Sequence, residues 1–271
     1  MNALQILQQT YAAGEARALY ELIMQDRFGL SRTDVLLGKD TTLSADAQAE
    51  LQEIVERVAK HEPVQYVLGR EVFCGHTFRV DPGVLIPRPE TQELVQMVRK
   101  ALAPGSSVLD IGTGSGCIAV TLSLEGYRVT AFDVSDEALR IAHRNAAELG
   151  AEVTFCQEDI LHPSEREDCW DAIVSNPPYI CQCEAANMEE NVLQHEPHLA
   201  LFVPDADPLL FYRAIAAYGR CHLRHDGMLF FEINRAYSQQ VMELLLEEGY
   251  NDVKCYKDQY ENDRFVCARV K

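Results

Sequence analysis

The segment VLDIGTGSGCIAV, residues 108–120, contains an apolar run, three closely spaced glycines and a second apolar run. This order is typical of a strand that turns sharply into a helix, with Gly112, Gly114 and Gly116 in the turn. Because glycine carries no side chain, the backbone of such a turn can approach a ligand closely. The spacing is G-x-G-x-G, which differs from the G-x-G-x-x-G that seats a dinucleotide pyrophosphate. The segment is therefore a candidate ligand loop, although a purely structural turn has the same pattern. The glycine spacing disfavours an NAD-dependent oxidoreductase.

From about residue 89 onward, short apolar runs alternate with amphipathic stretches. Predicted strands cover residues 107–111, 128–132, 153–157, 171–175 and 228–233. Predicted helices begin at Pro89, Ser115, Glu137, Pro208 and Ala236. The tail, residues 253–258 and 264–270, reads as an antiparallel pair. Strands that alternate with helices predict an α/β, Rossmann-like fold with a mostly parallel seven-stranded sheet.

The chain before this region has a different pattern. Apolar residues recur at spacings of three and four, which is typical of several short helices, and Ser31 and Ser44 are plausible N-caps. Residues 71–87 alternate apolar and polar side chains around two turn signals, which indicates a β-hairpin. We therefore predict three regions: an N-terminal helical bundle at 1–70, a hairpin linker at 71–87 and an α/β domain at 88–271.

Composition limits the classes of partner. The chain has 271 residues and a formal net charge of −18, whereas proteins that bind nucleic acid through its phosphates usually carry basic patches. No stretch is apolar enough for a membrane span, and the first residues lack the features of a signal peptide. We expect a cytoplasmic protein with no membrane partner and no direct nucleic-acid partner.

Nine cysteines are scattered along the chain, mostly without paired spacing, as is typical of reduced cytosolic thiols. Cys181 and Cys183, with His195 and His198 nearby, could in principle bind a metal. Zinc pairs usually have two or more intervening residues, so ordinary buried or loop cysteines are the favoured interpretation. We predict no metal.

Three side chains follow the next two predicted strands. Asp133 ends the strand in VTAFDVS, where its carboxylate could accept hydrogen bonds from both hydroxyls of a ribose. Asp159 and Ile160 follow the strand in FCQEDIL, and they could contact the amino group and the ring face of an adenine. Because ligands bind at the carboxyl ends of parallel strands, these residues and the glycine turn should share one crevice.

The strand at 171–175 runs directly into Asn176, Pro177, Pro178 and Tyr179. Two consecutive prolines remove two N–H donors, so this loop can present carbonyl oxygens to a ligand. The side-chain carbonyl of Asn176 and the backbone carbonyl of Pro177 could accept both hydrogens of a planar NH₂ group. Tyr179 could pack against the flat face of that group. The sequence therefore predicts Asn176, Pro177 and Tyr179 as catalytic, with Pro178 also contacting substrate.

With these motifs, the chain resembles the HemK-type family of protein-(glutamine-N5) methyltransferases. DIGTGSG (110–116) and NPPYI (176–180) resemble the family's cofactor and substrate motifs. PVQYVLG (63–69) and GVLIPRPET (83–91) resemble segments that amino-methyltransferases in general do not share, and EPHLAL (196–201) and NDRFV (262–266) resemble further family positions.

The resemblance implies a class I methyltransferase fold and S-adenosyl-L-methionine as methyl donor, with S-adenosyl-L-homocysteine as product. The expected substrate is the glutamine of the Gly-Gly-Gln motif in class 1 peptide chain release factors, with the N-terminal bundle helping to hold the release factor. We expect a monomer. The residues expected to bind the cofactor are Asp110, Gly112, Thr113, Gly114, Ser115, Gly116, Asp133, Asp159, Ile160 and Asn176.

The sequence departs from the family pattern at Gln92, where an acid is common, and at Asn234, where glycine is common. It also lacks the usual glycine-rich approach in FVPDADPLLFY. These departures touch the periphery more than the chemistry, and their effect does not follow from the sequence.

Two other classes of function remain open at this point. A nucleic-acid methyltransferase acting on adenine N6 or cytosine N4 would use Asn-Pro-Pro-Tyr equally well, since a flipped base presents the same NH₂ group. It would not explain the acidic charge or the segments before Gly112. A release-factor scaffold that retains the cofactor pocket is the third possibility, and measurable turnover would exclude it.

Overall fold

The computed structural model describes residues 2–271, which form two compact units. One unit contains the residues up to Arg70 together with Glu189–His195, and the other contains Glu71–Met188 and Glu196–Lys271. The predicted helical region ended at residue 70 and did not include residues 189–195, which belong to the same unit. The sequence pattern contains no signal that the chain returns to this unit.

The helices, in chain order, are α1 (Ala3–Leu7), α2 (Ala13–Phe28), α3 (Arg32–Leu36), α4 (Ala45–Val58), α5 (Val64–Leu68), α6 (Pro89–Ala101), α7 (Cys117–Leu124), α8 (Asp136–Leu149), α9 (Glu190–His195), α10 (His198–Leu201), α11 (Leu210–His222) and α12 (Ser238–Glu247). Short 3₁₀ helices cover Lys39–Thr42, Gln182–Asn187 and Arg235–Tyr237.

The strands are β1 (Arg70–Phe73), β2 (His76–Arg79), β3 (Ser107–Ile111), β4 (Arg128–Asp133), β5 (Val153–Gln157), β6 (Trp170–Ser175), β7 (Ile180–Cys181), β8 (Phe202–Val203), β9 (Leu223–Glu232), β10 (Asn251–Lys257) and β11 (Asp263–Arg269).

The helical unit is held by an apolar core in which Leu7, Ile23, Met24 and Val55 are fully buried. Both predicted N-caps are confirmed. The Ser31 hydroxyl accepts the Asp34 N–H at 3.2 Å, and the Ser44 hydroxyl accepts the Ala47 N–H at 3.2 Å, so each satisfies an N–H that the helix itself leaves unpaired.

The second unit is built on a seven-stranded sheet in the order β10-β11-β9-β6-β3-β4-β5. β9, β6, β3, β4 and β5 pair in parallel, while β11 pairs antiparallel with both β9 and β10. The predicted mostly parallel seven-stranded sheet is confirmed. Residues of β3 and β6, and those of β9 from Leu229 to Glu232, are almost wholly buried, as expected for central strands covered by helices on both faces.

Several predicted boundaries differ from the structure. The hairpin is confined to β1 and β2, and residues 80–88 form a loop with no strand partner in the described chain. β9 begins at Leu223, earlier than predicted, because Leu223 is in register with Trp170 of β6. α7 begins at Cys117 because Gly116 adopts a left-handed conformation at its N-cap. The two-residue strands β7 and β8 were not predicted.

Candidate active site

The turn after β3, residues 112–116, is called here the glycine loop. The N–H groups of Gly112 and Thr113 both donate to the Phe132 carbonyl, at 2.9 and 3.0 Å. Gly112 and Gly114 have φ angles of +76° and +54°, which L side chains rarely adopt. A Cβ at either position would meet no protein atom within 4 Å. These two glycines therefore leave space beside the loop as well as allowing its conformation.

Gly116 serves a different purpose. A Cβ there would lie 3.0 Å from the Cβ of Ala142 on α8, so the glycine permits close packing of the two helices. Ser115 is buried, and its carbonyl accepts the Asn145 side-chain N–H at 2.8 Å. These contacts place Ser115 and Gly116 behind the loop.

Asp110, at the end of β3, is completely buried. Its Oδ2 accepts the Thr113 hydroxyl at 2.7 Å, whereas Oδ1 has no hydrogen-bond partner among residues 2–271. Burial raises the pKa of Asp110 to about 7, with the nearby Asp133 charge acting in the same direction. The unpartnered oxygen marks a position where a bound polar or cationic group would be stabilised.

Asp133, at the end of β4, fixes the other side of the loop. Its Oδ2 accepts the Gly114 N–H at 2.8 Å and its Oδ1 accepts the Ser135 N–H at 2.9 Å. Burial raises the pKa of Asp133, and these backbone hydrogen bonds oppose that effect. Since each carboxylate oxygen has a second acceptor position, both can still accept a hydroxyl.

Asp159 and Ile160 follow β5. The Asp159 carboxylate contacts His162 Nδ1 at 3.0 Å and accepts the Leu161 N–H at 2.9 Å, and these two contacts lower its pKa. Asp159 is therefore an ionised acceptor at neutral pH. Ile160 is buried and packs with Phe132 in the apolar core.

Residues 176–179 after β6 are called here the proline loop. β6 lies beside β3, with Ser175 in register with Ile111, and the Ser175 hydroxyl donates to the Ile111 carbonyl at 2.6 Å. This buried bond joins the ends of the two strands that carry the two loops. The loops are consequently neighbours at one edge of the sheet.

A cavity of about 400 Å³ lies between the two loops. Its wall includes predicted residues from all four strand ends: Gly112, Gly114, Asp133, Asp159, Ile160, Asn176, Pro177 and Pro178. The wall also contains Phe132, Phe211 and Ile215, which give it an apolar side. The predicted crevice therefore exists as one cavity, while Asp110, Thr113, Ser115, Gly116 and Tyr179 lie outside its wall. The individual binding roles of all these residues stay predictions.

The side chain of Asn176 is held by residues that the sequence did not suggest. Its Nδ2 donates to the Thr91 hydroxyl oxygen at 3.2 Å, and the Thr91 hydroxyl donates to Glu232 Oε2 at 2.7 Å. Thr91 lies in the first turn of α6, and Glu232 ends β9; both are buried. Burial raises the pKa of Glu232, opposed by the Thr91 hydrogen bond and by the Arg264 charge.

Tyr179 is partly buried, and its hydroxyl donates to the other carboxylate oxygen, Glu232 Oε1, at 3.2 Å. Its pKa is raised above the usual value by burial and by the Glu232 charge. The predicted stacking of Tyr179 on a substrate group stays a prediction.

Two further segments of the cavity wall are tied together by Glu196. This buried carboxylate accepts an N–H of the Arg88 guanidinium at 2.5 Å and the Ile86 backbone N–H at 3.3 Å. Residues 82–85, together with Pro197, Leu199 and Ala200, flank these contacts and line the cavity. Glu196 of EPHLAL thus holds Ile86 and Arg88 of GVLIPRPET beside the cavity.

Asn234 and Gln92, which depart from the expected family pattern, also have hydrogen-bond partners. Asn234 Nδ2 donates to the Tyr179 carbonyl at 3.2 Å and to Glu184 Oε1 at 3.1 Å. Gln92 Oε1 accepts the Cys74 N–H at 3.1 Å and so connects α6 to the turn of the hairpin. Asn234 thus supports the end of the proline loop, and Gln92 does not line the cavity.

Comparison with known proteins decides the family. Residues 2–69 match the PrmC N-terminal domain, and residues 76–199 match the methyltransferase small domain. The chain is 49% identical over 267 residues to the release factor glutamine methyltransferase of Bacteroides thetaiotaomicron, covering 97% of this chain and 96% of the relative. It is 37% identical over 268 residues to the protein of the same name from Bacillus subtilis, covering 95% and 93%.

The chain belongs to the release factor glutamine methyltransferase family. The resemblance drawn from its motifs is confirmed.

Solved structures support the fold of this family member. A methyltransferase from Pyrococcus furiosus is similar with a TM-score of 0.55 at 18% identity, covering 83% of this chain and 98% of that one. The 16S rRNA N2 G1207 methyltransferase of Thermus thermophilus is similar with a TM-score of 0.55 at 18% identity, covering 74% and 50%. At this identity the likeness shows a shared class I methyltransferase fold.

Residues 2–271 also bear on other classes of site. Within that range, His, Cys, Asp and Glu side chains form no group of three or more that could hold a metal ion. The helices of the same range are all too short or too polar to cross a membrane.

Proposed function

We propose that this protein transfers the methyl group of S-adenosyl-L-methionine to the side-chain amide nitrogen of the glutamine in the Gly-Gly-Gln motif of class 1 peptide chain release factors. The observation that carries the proposal is the single cavity whose wall includes both Asn176, Pro177 and Pro178 and Gly112, Gly114 and Asp133. Family membership supplies the substrate class.

The residues around the cavity fit S-adenosyl-L-methionine. Asp133 retains acceptor positions for two ribose hydroxyls, and Asp159 is an ionised acceptor beside the apolar surface of Ile160. Side chains at Gly112 or Gly114 would take space beside the ligand. When bound, the cofactor supplies a methyl group activated by a sulfonium.

Asn176 and Pro177 are the residues that would bind the acceptor nitrogen. An amide nitrogen is a weak nucleophile because its lone pair is delocalised into the carbonyl. By accepting both N–H bonds, the Asn176 and Pro177 carbonyls would stabilise the positive charge that develops on nitrogen, contributing roughly 3 kcal/mol for each well-placed group. Alignment of the two reactants would contribute roughly 7–11 kcal/mol more, so this chemistry needs no strong general base.

The helical unit is proposed to bind the body of the release factor. Three of its leucines are exposed, Leu22, Leu36 and Leu37, with exposed fractions of 44%, 64% and 71%. Exposed apolar side chains of this size are available for a protein partner. A Leu36→Ser, Leu37→Ser variant should then lose catalytic efficiency on intact release factor while keeping it on a short Gly-Gly-Gln peptide. Equal loss on both substrates would contradict this role.

The proposal places the protein in the cytoplasm as a monomer, and a sedimentation measurement checks the second point. The function itself is tested by incubating the protein with labelled S-adenosyl-L-methionine and a release factor. The matched control is a release factor whose Gly-Gly-Gln glutamine is replaced by alanine. Label on the first and none on the second is expected. Transfer to DNA or RNA oligonucleotides, with none to release factor, would overturn the proposed substrate and indicate a nucleic-acid amino-methyltransferase.

A further inference from the structure

Glu232 is buried at the end of β9, and both of its carboxylate oxygens accept hydrogen bonds from hydroxyl groups. One hydroxyl belongs to Thr91, which also contacts Asn176, and the other belongs to Tyr179. A single carboxylate thus contacts the proline loop at two places, once directly and once through α6. Nothing in the proposed chemistry uses Glu232 or Thr91.

The direction of these hydrogen bonds determines the orientation of the Asn176 amide. The positive charge of Arg264 favours the ionised form of Glu232, which only accepts hydrogen bonds, and a threonine hydroxyl has one proton to donate. Because Thr91 gives that proton to Glu232, its oxygen can only accept from Asn176, which must present its NH₂ side. The two ends of an asparagine amide are nearly identical in shape, so only such a network distinguishes them. The carbonyl oxygen of Asn176 is then the end available to a ligand in the cavity.

The position of the three residues supports the same conclusion. Ser175 is in register with Phe231, so the next residues, Asn176 and Glu232, leave the ends of adjacent strands together. Thr91 spans the gap between them from the first turn of α6, where it is only 3% exposed. Water therefore has little access to replace its hydroxyl.

We infer that Glu232 and Thr91 are positioning residues for methyl transfer: through their hydrogen bonds they keep the carbonyl oxygen of Asn176, and not its NH₂ group, turned toward the acceptor nitrogen. The inference rests on the proposed function for the identity of that acceptor. A reversed amide would present two N–H donors to an NH₂ group, and the two would repel. Orientation of Asn176 is thus a condition for turnover, while the cofactor contacts proposed at Asp133 and Asp159 do not depend on it.

The test compares Thr91→Val, which keeps the side-chain shape and removes the hydroxyl, with Thr91→Ser, which keeps the hydroxyl. Thr91→Val should lower kcat roughly tenfold or more, the size of effect that follows from losing one buried hydrogen bond. The Kd for S-adenosyl-L-methionine should stay within about twofold of the unsubstituted protein. Thr91→Ser should restore most of kcat. An unchanged kcat in Thr91→Val, or no restoration by Thr91→Ser, would overturn the inference.

A double-substitution cycle separates orientation from general stability. Glutamine at position 232 has a single acceptor oxygen, whereas the Thr91 and Tyr179 hydroxyls each donate to a separate oxygen of Glu232. Glu232→Gln should therefore lower kcat at least as much as Thr91→Val. Because both substitutions break the same connection, the double variant should lose no more than Glu232→Gln alone. If the kcat losses of the two single variants multiply in the double variant, the two residues do not act through one hydrogen-bond chain.

An NMR measurement keeps the inference testable whatever the acceptor proves to be. The side-chain NH₂ signal of Asn176, assigned by its disappearance in Asn176→Asp, should exchange slowly with solvent and should exchange faster in Thr91→Val. Equal exchange rates would overturn the inference even if methyl transfer to glutamine were established. If transfer occurred to a nucleic-acid amino group instead, the proposed function would fail, while the same Thr91 variants could be assayed on that acceptor.

Discussion

The glycine loop and the proline loop lie on one cavity, but they are held in different ways. The glycine loop is fixed by backbone groups that donate to Phe132 and Asp133 of the next strand. The proline loop is fixed by side chains from distant parts of the chain, namely Thr91, Glu232 and Asn234. The first arrangement is local and depends on glycine conformation. The second depends on a buried hydrogen-bond network, so it should be much more sensitive to single side-chain changes.

The largest effect is expected at the proline loop itself. Asn176→Ala removes one of two acceptors for the substrate nitrogen, so kcat should fall by roughly 10²–10³-fold, as for loss of an oxyanion-hole donor. The fold should persist, because Asn176 is only partly buried and lies outside the sheet. Turnover assays with circular dichroism as control check both points. Near-normal turnover would remove the proline loop from the mechanism.

The next effect concerns the one buried carboxyl beneath the glycine loop. Asp110 has a pKa of about 7 in the folded protein, well above its ordinary value, so the folded state holds a proton that the unfolded state has released. Its contribution to the free energy of unfolding is therefore fully present below about pH 4 and falls as pH rises toward 7, by about 1.4 kcal/mol per unit.

Asp110→Asn should lack this pH-dependent contribution to the free energy of unfolding, because asparagine does not titrate. Urea unfolding at several values between pH 5 and 8 should show the wild type losing stability relative to the variant as pH rises, by roughly 3 kcal/mol in all. Parallel curves for the two proteins would show that Asp110 does not titrate in this range. If cofactor affinity survives the substitution, the glycine loop is held mainly by its backbone.

A smaller effect is expected from Gly114→Ala. The φ of +54° costs an alanine about 1 kcal/mol, and the new Cβ meets cavity space and no protein atom. The Kd for S-adenosyl-L-methionine should rise roughly tenfold, which is more than the small loss of stability would cause. Gly105→Ala is the matched control, since Gly105 also has positive φ and open surroundings but lies off the cavity wall. An equal change of Kd in both variants would contradict the assignment.

The smallest effect is expected at Asn234. Replacing it by glycine, the residue expected from the family pattern, removes the hydrogen bonds to the Tyr179 carbonyl and to Glu184 and the acceptor for the Ala236 N–H. The φ of −69° needs no glycine, so the change tests these hydrogen bonds together. We expect a loss of about 1 kcal/mol in stability and a two- to fivefold lower kcat. Unchanged kcat would show that Tyr179 is held sufficiently by Glu232.

The sequence predicted the fold and the position of the cavity well because their determinants are local. Strand ends at Ile111 and Ser175 follow from short apolar runs, and the parallel arrangement of the sheet brings the residues after them together. Gly112 and Gly114 are recognisable because backbone conformation restricts the residue type. The same reasoning located the cavity wall from four separate strand ends.

The sequence did not predict how the proline loop is supported. Thr91 and Asn176 are 85 positions apart, and Tyr179 and Glu232 are 53 apart, so no periodic pattern connects them. Thr91 belongs to the GVLIPRPET segment, whose only signal is its resemblance to the family. Glu232 has no sequence feature that distinguishes it from other acidic residues at the end of an apolar strand. The return of residues 189–195 to the helical unit is also a tertiary contact without a local signature.

The most direct test of the account is a crystal structure of this protein with S-adenosyl-L-homocysteine and a peptide containing Gly-Gly-Gln. The account predicts that the glutamine side-chain nitrogen lies within hydrogen-bond distance of Asn176 Oδ1 and the Pro177 carbonyl, with Asn176 Nδ2 still on Thr91. A glutamine nitrogen outside this reach, or an Asn176 amide turned with its NH₂ toward the peptide, would contradict it.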